Sequence, residues 1–74
     1  MTPYAQKCIS HCLSMADGDE LEYNIDEAEG VVNIIRKVVD KYAFIDEYAD
    51  RRVVDTELYT ERGMERFFEW YEEQ

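Results

Sequence analysis

The chain has 74 residues, 46% hydrophobic, 14% aromatic and 35% charged, with a formal net charge of -10 from 8 basic and 18 acidic side chains. This apolar content excludes a disordered acidic tail, and the length allows one domain over 1–74 that buries only about 60% of its unfolded surface. The charge excludes direct nucleic-acid binding, which needs cations against phosphates, and an anionic membrane would repel it. Basic proteins, basic peptides or cations would be attracted.

Thr2-Pro3 reads as a helix start, because threonine caps free backbone N–H groups and proline is tolerated at the first helical position. Ala5, Cys8, Ile9, Cys12, Leu13 and Ala16 then recur at helical spacing, which predicts a first helix over about 3–16. Asp17-Gly18-Asp19 ends it. Leu21, Tyr23 and Ile25 alternate with acidic and polar neighbours, as in a short strand or an extended arm.

Asp26 and Glu29 resemble a capping box. Ala28, Val31, Val32, Ile35, Val38, Val39 and Tyr42 follow as one wide apolar stripe, which predicts a second helix over about 26–42. On that helix Phe44 would sit in the middle of the polar face, so a break or kink is expected near Ala43. Phe44, Ile45, Tyr48 and Ala49 form a short new stripe, interrupted by Arg51-Arg52, and Val53-Val54 fit an extended piece or the start of the next element. Thr60 is a candidate cap for a last helix over about 57–73, with Met64, Phe67, Phe68 and Tyr71 on its apolar side. The expected fold is mainly α, a small three- or four-helix bundle with a short extended segment. The alternative is α+β, with 20–25 pairing with 51–55 in a minimal hairpin or sheet.

Cys8, His11 and Cys12 form a C-x-x-H-C cluster of zinc-type ligands. A helix turns His11 away from Cys12 and no good fourth ligand is near, so the cysteines are expected to be core thiols. Counted as a calcium loop from Asp17, the chain has Leu21, Glu22 and Ala28 at positions that need a ligand, glycine and glutamate. No P-loop, dinucleotide fingerprint or serine elbow is present. Neither catalysis nor a cofactor or metal is expected. No stretch approaches the about 20 apolar residues of a membrane span, and the start lacks a secretory leader. With no disulfide framework, a reducing, cytoplasmic location is expected.

Residues 17–30 carry Asp17, Asp19, Glu20, Glu22, Asp26, Glu27 and Glu29 without one base. Glu61, Glu65, Glu69 and Glu72 form a row along the last helix at intervals of roughly 5–6 Å, close to the spacing of phosphates along a strand. Phe44 and Trp70 fall off the apolar stripes and are expected to be exposed anchors. In size and charge the chain resembles the small acidic inhibitors carried by phages, including anti-CRISPR and anti-restriction proteins; this resemblance includes no motif and assigns no residue a role. The expected function is an acidic protein-binding module or inhibitor. It would occupy a basic surface of a partner, as a nucleic-acid mimic blocking a DNA- or RNA-binding protein, in host cytoplasm if phage-encoded. The alternative is a structural or regulatory helical module that oligomerises through exposed aromatics.

Overall fold

Thr2 and Pro3 start a helix as the sequence predicts. In the structure, a computed structural model that describes residues 2–23 and 30–72, α1 spans Pro3–Ser14. The Thr2 hydroxyl accepts the Ala5 N–H at 3.3 Å, filling one orphan donor of the first turn. Ala5, Cys8 and Cys12 form its buried side, and Met15 is buried just beyond its end. The chain then turns through Gly18, whose φ of 91° suits a residue without Cβ. The Gly18 N–H reaches the Lys37 carbonyl at 2.8 Å and starts sheet pairing.

Four strands follow: β1 (Glu20–Tyr23), β2 (Val32–Val38), β3 (Lys41–Glu47) and β4 (Arg52–Val54). They form an antiparallel meander in that order. Val39 and Asp40 make the tight turn between β2 and β3, and Tyr48 pairs with Arg51 at the next turn. The segment after β4 returns to β3 through a bridge between Tyr59 and Tyr42. It leads into α2 (Glu61–Glu72), where the Thr60 hydroxyl accepts the Gly63 N–H at 3.1 Å.

This is an α+β fold with two helices and a four-stranded sheet among the described residues, not the helical bundle expected from apolar periodicity. The first part of the expected helix over 26–42, with its capping box, falls on residues 24–29, outside the described residues. The rest is β2 and the start of β3, and Ala43 lies inside β3 without a break. Val31, Val32, Ile34, Ile35, Val38 and Val39 are β-branched; such side chains lose rotamer freedom in a helix and pack well on a pleated sheet. The α+β alternative agrees in class, but its segments 20–25 and 51–55 do not pair with each other. β1 pairs with β2, Tyr23 opposite Asn33, while β4 pairs with β3, Val53 opposite Asp46. The last helix begins at Glu61 because Tyr59 is held extended against β3.

Strand alternation sorts the side chains into two faces. Leu21, Tyr23, Ile35, Tyr42 and Phe44 join both helices in one core with Cys8, Cys12, Met64 and Phe68. Each large side chain buried there contributes about 1.5–3 kcal/mol. Tyr23 packs edge-on against Phe68 with ring centroids 5.4 Å apart, and Phe44 against Phe67 at 4.4 Å. The Tyr42 phenol donates to the Cys12 carbonyl at 3.2 Å and accepts from the Lys37 ammonium at 3.1 Å, so the buried hydroxyl is satisfied. Ile34, Ala43 and Ile45 are buried on the opposite face, which also carries the ion-paired Glu20, Arg36, Glu47 and Arg52. No helix among the described residues is long and apolar enough to cross a membrane.

Candidate partner-binding site

The acids of 17–30 do not form one unengaged patch. Asp17 and Asp19 are exposed, but each holds a turn: Asp17 accepts the Val39 N–H at 2.7 Å and Asp19 the Ala16 N–H at 3.0 Å. Glu20 sits between Arg36 at 2.6 Å and Arg52 at 3.1 Å, and Arg52 also meets Glu47 at 2.5 Å. The hydrogen bond from Arg36 holds the Glu20 carboxyl below its ordinary pKa. These two arginines are as numerous as the carboxylates they meet, so the cluster adds little net charge to the open sheet face. Glu22 is exposed on β1. Asp26, Glu27 and Glu29 lie outside the described residues.

On α2 the predicted acidic row is helical as expected. Glu61 and Glu69 are exposed, Glu65 is half-buried and lies 3.8 Å from Arg62, and Glu72 closes the helix with its side chain outside the described residues. Trp70 is 56% exposed, in agreement with its place off the stripe. Phe44, expected at the surface, is instead buried at 8%. The expectation assumed a helix; in β3, Phe44 shares the helix-facing side with Tyr42 and lies opposite Ile35.

Phe44 also forms the floor of a groove between α2 and the β3–β4 side of the sheet, with a volume of about 760 Å³. Phe67, Trp70 and Tyr71 line it from α2, Val53, Asp55 and Tyr59 from β4 and the segment beyond, and Tyr23, Asn33 and Asp46 from the sheet. Trp70 lies 6.1 Å from Phe67 and Tyr59 lies 4.8 Å from Phe44, so rings border the space on more than one side. Asp46 accepts the Asn33 amide at 2.9 Å. Asp55 accepts the Tyr59 hydroxyl at 3.1 Å and the Glu57 N–H at 3.1 Å. Burial raises the Tyr23 phenol pKa, and the nearby Asp46 charge raises it further. The Asp55 hydrogen bond raises that of Tyr59. The Tyr23 shift is mainly the cost of burying a phenolate, whereas that of Tyr59 comes first from its carboxylate partner.

Asp46 and Asp55 belong to no motif or charge run in the sequence. Alternation over Tyr42-Ala43-Phe44-Ile45-Asp46 would have placed Asp46 beside Phe44, but only if the segment had been read as a strand. Cys8 and Cys12 are buried free thiols whose pKa values burial raises, that of Cys12 to about 12. Among the described residues no cluster of three or more His, Cys, Asp or Glu side chains is arranged to hold a metal ion. No protein-family model, curated protein or solved structure matches the chain.

Proposed function

We propose that the chain is an acidic binding module that occupies a basic surface of a partner protein, and that it inhibits a DNA- or RNA-binding partner by standing where the nucleic acid would. It acts by binding and not by catalysis. The observation that carries this reading is the net charge of -10 on a fold where Arg36 and Arg52 are already engaged by Glu20 and Glu47. Exposed carboxylates such as Glu22, Glu61 and Glu69 are therefore offset by few cations. Such a surface speeds encounter with a basic partner and repels acidic ones. Buried free thiols suit a reducing compartment, which supports a cytoplasmic site of action.

Charge reversal tests the reading. The triple variant Glu22→Lys, Glu61→Lys, Glu69→Lys removes more than half of the formal charge of -10 and spares the turn and ion-pair acids Asp17, Asp19 and Glu20. A single neutralised surface charge changes affinity by only about 0–1 kcal/mol, so the effect requires the combination. Binding to a partner isolated from the native host should fall at least about tenfold while circular dichroism stays unchanged. Unchanged affinity in a folded triple variant contradicts the proposal.

A further inference from the structure

The groove beneath α2 has a chemical character of its own. Among the described residues that line it are Asp46 and Asp55 and no lysine, arginine or histidine. Its remaining surface is mainly aromatic, and Trp70 is 56% exposed beside it. Aromatic faces and carboxylates both attract cations, and tryptophan offers the strongest face of the side chains. Register places the sheet cations Arg36 and Arg52 on the opposite face, paired with Glu20 and Glu47, and Lys37, on the groove's face, donates to the Tyr42 hydroxyl.

The carboxylates are also pre-positioned. Asn33 fixes one oxygen of Asp46, and Tyr59 with the Glu57 N–H fixes Asp55. A carboxylate oxygen has two lone pairs, so each of these acids retains capacity to accept from a bound donor. The volume of about 760 Å³ exceeds what one small ion needs and lies in the range of sites that enclose part of a larger molecule. A guanidinium fits the mixture better than an ammonium. It is planar, stacks on rings, is weakly hydrated and carries five donors.

We infer that this groove receives an arginine side chain from a basic segment of the partner protein, its guanidinium stacked against the Trp70 side of the groove and hydrogen-bonded to Asp46 and Asp55. The inference rests on the basic-partner reading and adds the anchor that dispersed surface charge lacks. Buried aromatic and arginine contacts dominate interface affinity, whereas exposed charge pairs contribute little.

Trp70 is the sole tryptophan and lines the groove, so its fluorescence reports occupancy directly. The probes are a capped Gly-Arg-Gly tripeptide and its citrulline and lysine analogues, titrated into the full chain. The arginine peptide should change Trp70 emission saturably. The neutral citrulline peptide, nearly the same in shape, should bind at least about tenfold more weakly because it offers no charged donor. Asp46→Asn and Asp55→Asn should each weaken the arginine peptide by about tenfold and leave the citrulline peptide unaffected. The comparison of peptides on the unsubstituted chain stands even if a variant misfolds. No Trp70 response, equal binding of arginine and citrulline, or equal binding of arginine and lysine overturns the assignment. The two readings fail separately. Silent peptides with a salt-sensitive native partner defeat the groove alone, and a responding groove with a salt-insensitive native partner defeats the electrostatic reading alone.

Discussion

Val39 offers a direct test of the fold, because its backbone and its identity disagree. It occupies the β2–β3 turn with φ of 60°, although its side chain is β-branched and 69% exposed. An L-residue with Cβ is disfavoured there by roughly 1–2 kcal/mol, and glycine is not. Glycine in turn gives up about 0.5–1 kcal/mol through the greater freedom of its unfolded chain. So little of Val39 is buried that losing its side chain removes little packing. Val39→Gly should therefore stabilise the protein by about 0.5–1 kcal/mol, raising Tm by about 2–8 °C for a domain of this size. Thermal and urea denaturation measure it, with Val39→Ala as the control that keeps a Cβ at the same φ. The 2.7 Å hydrogen bond from the Val39 N–H to Asp17 should persist, so Asp17→Ala should remain destabilising in both backgrounds. If Val39→Gly melts no higher than the parent, or if Val39→Ala gains as much as glycine, the strained turn is not what limits stability here.

Phe68 is 1% exposed and packed against Tyr23, so Phe68→Ala should cost about 3–5 kcal/mol and leave little folded protein, as circular dichroism at 37 °C would register. A melting point within a few degrees of the parent would contradict the assigned core. Cys12 should resist iodoacetamide in the native state at pH 8 and react promptly once unfolded, because its thiol is fully buried and its pKa is pushed up to about 12. The raised value favours the neutral thiol in the fold, so its stabilisation is whole below the unfolded value near 9 and is lost as pH rises towards about 12. Chemical denaturation between pH 8 and 11 should show stability falling in the parent and falling less in Cys12→Ala. Glu20 shifts the other way: its lowered pKa gives stability present above the unfolded value of 4.5 and lost as pH falls below it. Glu20→Gln should flatten that acid limb while changing stability at pH 7 by no more than about 1 kcal/mol, since the pair is partly exposed.

Elements with a local start signal were legible in the chain. Thr2-Pro3 marks the entry of α1, and the Met64–Phe67–Phe68–Tyr71 stripe marks the face of α2 that packs inward. Leu21 and Tyr23 gave the alternation of β1, but its partner could not be read, because register depends on what the other strands bury. The hairpin β2–β3 imitates a helix in sequence for a physical reason. Its apolar positions are buried on both faces, Ile35 and Phe44 under the helices and Ile34, Ala43 and Ile45 on the other side. A strand buried on both faces loses its alternation, and a continuous apolar run matches a helical stripe equally well. Ile34, which fell outside the proposed stripe, and the density of β-branched residues were the contrary signals. The same imitation displaces the site. Phe44 is an exposed anchor only on a helix, and Asp46 and Asp55 carry no signal in the chain because only the sheet brings them to one groove.

The proposed function has the acidic surface occupying a basic, nucleic-acid-binding face of a partner. Its most direct measurement is the affinity for the native partner as salt is raised, with and without competing DNA or RNA. Exposed charges are screened over about 10 Å at 0.1 M salt, so affinity should fall steadily as salt increases, and the competing nucleic acid should displace the chain. An affinity flat in salt, with no displacement by nucleic acid, would contradict that mode of binding.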